Sequence, residues 1–149
     1  MFRLLSICFL SLSLIQQVQA FPCYITLVKD KCWSDYDVSV NVVDVLTEKL
    51  ITTILIPTGK SWDRFEFSCS EKQTVLFKAT FSPAIWEADE DKAYYGKRYW
   101  SFPEEIKKGQ TAWNMTICYP EHFAGTPSPA QLPGGCGCDT SQIPAIQPR

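Results

Sequence analysis

The chain has 149 residues, 14 of them basic and 16 acidic, for a formal net charge of −2. A weakly acidic balance without a basic block argues against nucleic acid or an anionic lipid surface as the main partner. The length suits one domain with a real core, and no segment offers the roughly 20 consecutive apolar residues that a membrane-spanning helix needs.

Residues 1–20, MFRLLSICFLSLSLIQQVQA, put Arg3 ahead of an apolar stretch from Leu4 to Ile15 and close on Val18-Gln19-Ala20. They read as a cleaved secretory signal, which makes the mature chain secreted or periplasmic. A lipid-anchored cysteine needs a small residue before it, and Ile7 precedes Cys8. Beyond the leader lie 129 residues, 13 basic and 16 acidic, with six cysteines: Cys23, Cys32, Cys69, Cys118, Cys136 and Cys138. An even count in an exported chain reads as three disulfides in an oxidising compartment, with 15 pairings open.

Along the mature chain, period-two alternation dominates. Residues 24–29 form the first expected strand. Tyr36, Val38, Val40 and Val42 share one strand face while Asp37, Ser39 and Asn41 share the other. KLITTILI is a β-branched run stopped by Pro57, with Thr58-Gly59-Lys60 as a turn. Phe65, Phe67 and Cys69 lie opposite Glu66 and Ser68, and Val75, Phe77, Ala79 and Phe81 lie opposite Thr74, Leu76, Lys78 and Thr80. Further strands are expected at 97–102 and 111–119, about seven in all.

Between them, SPAIWEADEDKAYYG suggests one short helix or an ordered loop. Ser82 suits an amino-terminal cap, Pro83 a first helical position, and Gly96 a stop. PEEIKKGQ offers a second turn ended by Gly109. From Pro120 onward six of the ten prolines and several glycines replace the alternating pattern, so residues 121–149 read as an extended tail that frays beyond Asp139. The expected fold is all-β: an antiparallel β-sandwich of immunoglobulin-like type over 21–120, with a Pro/Gly-rich C-terminal tail fastened by disulfides.

The pair in LPGGCGCDT allows three readings. Cys136 and Cys138 clasp the tail to other cysteines, or close on each other as a reducible ring, or hold a copper(I)-like ion with Met115 or His122. No Lys, Arg or His lies within ten residues on the amino-terminal side to lower a thiolate pKa, and the compartment oxidises free thiols, so the clasp is preferred. Alternation puts Cys118 on the outward face of its strand, a natural partner for a tail cysteine, while Cys69 suits a bridge between sheets or to Cys23 or Cys32.

Catalytic chemistry is thin. His122 is the single histidine and has no nucleophile in a recognised spacing, so it reads as a solvated loop residue. Glu87, Asp89, Glu90 and Asp91 form an acidic cluster that fails the calcium-loop pattern. No cofactor is expected. The richer stretch is IWEADEDKAYYGKRYWSF, where Trp86, Tyr94, Tyr95, Tyr99, Trp100 and Phe102 are packed into 18 residues that also carry Lys92, Lys97 and Arg98. As a strand, 97–102 groups Arg98, Trp100 and Phe102 on one face and Lys97, Tyr99 and Ser101 on the other, so Trp100 and Phe102 belong to the core. Trp86, Tyr94, Tyr95, Arg98 and Tyr99 are the candidate contact surface, since interface centres favour aromatics with arginine. Asn114-Met115-Thr116 is a glycosylation sequon, of consequence in a eukaryotic source. The chain therefore reads as a binding or assembly protein for another secreted or envelope protein, with a sugar face as the other ligand that aromatic rings accept. The alternatives are a small secreted hydrolase using Glu87 and Asp89, or an inhibitor of another secreted enzyme.

Overall fold

The structure is a computed structural model that describes residues 21–147, so the leader-like segment lies outside the described residues. The described residues form eight strands: β1 Phe21–Lys29, β2 Asp37–Asp44, β3 Leu50–Ile56, β4 Trp62–Cys69, β5 Thr74–Ser82, β6 Tyr94–Tyr95, β7 Trp100–Ser101 and β8 Trp113–Tyr119. They make two packed sheets. The smaller has the order β4-β1-β8; the larger runs β3-β2-β5-β6, with β7 also on β5.

The alternating rows supply the core. Val38, Val40 and Val42 of β2, Ile54 and Ile56 of β3, and Val75, Phe77 and Ala79 of β5 face Cys23, Ile25 and Leu27 of β1 and Met115 and Ile117 of β8. Each row is buried because parity puts every second side chain on one face. The sandwich is not wholly antiparallel: β8 runs parallel to β1, Cys23 opposite Trp113 and Lys29 opposite Tyr119.

The segment 82–96 is an ordered loop, not a helix. Ser82 still pairs with Asp37 in the ladder, so its backbone is committed to β5 and cannot open a helix. Only a single 3-10 turn forms, at Glu87–Asp89, and its cap residue Trp86 makes no side-chain bond. Gly96 does not stop a helix; its N–H donates to the Phe77 carbonyl at 2.8 Å and extends the sheet. Of the strand expected at 97–102, only β7 remains, because Lys97 donates instead to His122 O at 2.9 Å.

Two devices secure one end of the sandwich. Lys29 closes the inward row of β1 and is 2 % exposed. Its Nζ donates to the carbonyls of Tyr36 at 2.7 Å and Pro57 at 2.8 Å, so an ammonium from one sheet caps strand ends of the other. Burial pushes its pKa down, against the pull of Asp37 and Asp35. The second device is covalent. Cys136 is bonded to Cys32 in the 3-10 turn Lys31–Trp33, and Cys138 to Cys118 on β8. The chain reaches both because Gly134 and Gly135 adopt φ of +91° and +78°, open to glycine at little cost. Lys31 N–H then meets Gly137 O at 3.2 Å. The third bridge, Cys23–Cys69, joins the neighbouring strands β1 and β4 within one sheet and does not cross the sandwich.

Beyond Asp139 the chain does not fray from the surface. Arg64 on β4 donates to the Pro144 carbonyl at 3.0 Å and, through Nε, to Thr26 Oγ1 at 2.8 Å. Thr26 and Val28 point away from the core yet are 1 % and 0 % exposed, because this stretch and the Cys118–Cys138 bridge lie across them.

Peptide mapping without reduction is expected to join 23 to 69, 32 to 136 and 118 to 138 and to find no free thiol among these six. Because the Cys32–Cys136 bridge spans 104 residues and Cys118–Cys138 spans 20, the loop-entropy model assigns losses of about 4.7 and about 3 kcal/mol on their removal. Urea unfolding of Cys32→Ala/Cys136→Ala against Cys118→Ala/Cys138→Ala measures that order.

Candidate functional site

Among the described residues β8 is an edge strand, bonded on one side to β1. The hydrogen bonds at its end establish which residues face outward. Cys118 donates its N–H to His122 Nδ1 at 3.0 Å, and its carbonyl accepts the His122 N–H at 3.0 Å. Tyr119 O instead accepts from Asp30 N–H, on the β1 side, at 2.8 Å. Backbone polar groups alternate sides along a strand. Asn114 and Thr116 therefore present their N–H and C=O to the free edge, and 113, 115 and 117 face β1.

His122 works as a one-residue substitute for a neighbouring strand. It fills the Cys118 position of β8 while its own carbonyl accepts from Lys97, and Gly96 pairs with Phe123 beside it. The side of the sandwich is thus stitched shut between β8 and β6. Phe123 behind it is 2 % exposed, so the buried set extends past Pro120. This role was not visible in the sequence, where His122 reads as a solvated loop residue; its only signal was the spacing of four from Cys118 across Pro120.

Past the stitch, the same side opens into a groove of 440 Å³ lined by Arg98, Tyr99, Trp100, Phe102, Trp113 and Met115, with Asn114 and Thr116 on its β8 rim. Arg98 lies over the Trp100 ring, 3.9 Å from its centroid, and His122 packs on the same indole at 5.1 Å. The Trp100 Nε1 donor is buried without an acceptor among the described residues. Leaving such a donor unpaired costs about 1–3 kcal/mol, and Tyr119 Oη in the core is unpaired in the same way.

The candidate contact residues separate. Arg98 and Tyr99 stand exposed at the groove, Tyr99 at 63 %. Tyr95 is half exposed on the outer face of the larger sheet, with Lys78 Nζ 5.9 Å from its ring centroid. Trp86 is exposed on the 3-10 loop and does not line the groove. Tyr94 is a correction: it is 2 % exposed, stacked on Phe81, with its hydroxyl donating to Asp89 Oδ1 at 3.0 Å. In the two-residue strand β6, parity turns 94 inward and 95 outward. Burial first, then Asp89, pushes the Tyr94 pKa up to about 12.

That bond also decides what Asp89 does. Its carboxylate holds Tyr94 and, at 3.5 Å, Lys92, a structural use that positions the loop. Asp30, Cys32 and Cys136 offer ligand atoms within 4.8 Å of one another. The two sulfurs are bonded to each other, so no thiolate is present there, and the copper reading loses Cys138 to Cys118 as well. Met115 is 8 % exposed in the core.

The stitch has a pH signature. His122 accepts through Nδ1, so its ring must be neutral, and burial holds its pKa below the ordinary value, opposed by Glu121 and aided by Arg98 and Lys97. Above about pH 6.5 neither folded nor unfolded chain is protonated there and the contribution is complete; below it the unfolded chain binds a proton that the folded one refuses. The thermal midpoint should be flat from about pH 8 to 7 and fall as pH drops from about 6.5 toward 5. His122→Asn, which keeps an acceptor but does not titrate, should flatten that slope; an unchanged slope sinks the assignment.

No protein-family model matches the chain, and searches of curated proteins and of solved structures return no match to it.

Proposed function

We propose that the chain is an exported, disulfide-stabilised binding protein that recognises another secreted or envelope protein through a surface centred on Arg98 and Tyr99 at the groove, with the exposed Tyr95 and Trp86 outside it. The observation that supports this reading is the groove beside β8. Arg98 and Tyr99 stand exposed there beside Trp100. Tyrosine, tryptophan and arginine contribute most at interface centres because they bring large rigid area with a polar tip. Three disulfides fit an oxidising compartment, and among the described residues no helix is long and apolar enough to cross a membrane. The leader-like residues 1–20 supply the route to export.

The test is a Tyr95→Ala/Tyr99→Ala variant. Both rings are half exposed or more, so the thermal midpoint should move by no more than a few degrees. Capture of partners from a native extracellular or envelope extract, read by mass spectrometry, should weaken at least about tenfold. Unchanged capture by this variant rejects the reading. Tyr94→Ala is the contrasting control, because it removes a buried ring and should lower the midpoint whether or not a partner binds.

A further inference from the structure

The groove is open along β8 at the residues whose backbone groups are unpaired. Asn114 and Thr116 offer two N–H and two C=O groups, spaced by about 6.8 Å along the strand. Among the described residues no bond satisfies them, whereas at Cys118 the same kind of position is filled by His122. β8 itself, WNMTICY, carries no charge, no proline and no bulge, so it has none of the usual blocks to strand addition. The lining residues include Arg98 and no carboxylate.

We propose that this edge docks an extended segment of the partner polypeptide, one that adds as a strand beside β8 and sets an acidic side chain against Arg98. The proposal rests on the reading of this face as a protein contact and specifies how the contact is made. Backbone bonds at Asn114 and Thr116 would supply affinity, and alternate side chains of the docked segment would lie along the groove against Tyr99 and Trp100, as in other strand-addition complexes. The positive charge with no lining carboxylate selects an acidic segment over a basic one. A sugar does not match a row of alternating donors and acceptors at strand spacing. A second copy of β8 is disfavoured by shape. The segment 98–103 stands beside β8 as the far wall of the groove, and a partner β8 brings its own such wall, while a lone extended chain does not.

The discriminating variant is Thr116→Pro. Its N–H faces the free edge and is not used by β1, so proline is tolerated there as on other edge strands but removes the central donor of the docking row. The probe is a fluorescein-labelled peptide, Asp-Val-Thr-Val-Thr-Val-Ser, with two controls: the same peptide with Lys for Asp, and one N-methylated at alternate residues. Fluorescence anisotropy should show saturable binding of the acidic peptide, at least tenfold weaker binding of the Lys peptide, and none by the N-methylated one. Hydrogen exchange at the Asn114 and Thr116 amides should slow at least tenfold in the complex. Thr116→Pro should keep its thermal midpoint and lose binding at least tenfold. No saturable binding up to about 1 mM, no slowing at 114 and 116, or full binding by a folded Thr116→Pro overturns the proposal, as does a concentration-dependent dimer that Thr116→Pro abolishes. Should Thr116→Pro not fold, the N-methylated peptide decides alone. If Tyr95→Ala/Tyr99→Ala loses native partners while Thr116→Pro keeps them, the contact surface stands and strand docking falls. If both keep them, both fall.

Discussion

A three-stranded sheet packed in a two-layer sandwich has one face in the core and one with nothing to cover it, and the constraint on this protein is how that second face is closed. The answer is the tail. Bonds from Cys136 to Cys32 and from Cys138 to Cys118 hold chain without regular structure against β1 and β8, and Arg64 fixes the stretch around Pro144. Val28 can therefore be apolar on the outward row, and β1 can be buried on both faces. Without the covalent attachment, a Pro- and Gly-rich stretch has too little apolar surface to stay in place against its conformational entropy.

The same end of the molecule carries the other constraints. Lys29 reaches from the smaller sheet to carbonyls of the larger, and His122 stitches β8 to the segment beside β6. Order is concentrated where the bridges, the ammonium and the histidine meet, and the edge of β8 farther back has no such partner.

Much of the sandwich was legible in the residues. Val38, Val40 and Val42, or Val75, Phe77 and Ala79, state their burial through period two because a pleated strand gives no other parity. The clasp was legible as well, from an outward Cys118 and glycines around two cysteines. What was not legible depended on partners distant in the chain. Parity in a two-residue strand such as β6 cannot be read locally, so Tyr94 was placed outside when Phe81 and Asp89 hold it inside. The run at 82–96 carried helix signals, but Ser82 was already engaged by Asp37, and ladder bonds outcompete a local cap. The parallel pairing of β1 with β8 joins residues some 90 apart, a distance over which sequence pattern carries no register.

The sequon at Asn114 lies on the edge that this fold leaves open. Its side chain accepts from Thr26 Oγ1 at 3.0 Å and donates to Thr116 Oγ1 at 3.1 Å, beside the outward row of β8. In a cell without the glycosylating machinery that asparagine is one more polar residue. In a cell that has it, a bulky, hydrated oligosaccharide attached there would stand beside the unpaired strand and hinder any other chain from adding to it. The choice of host organism would then set whether the purified molecule has its edge bare or sheathed.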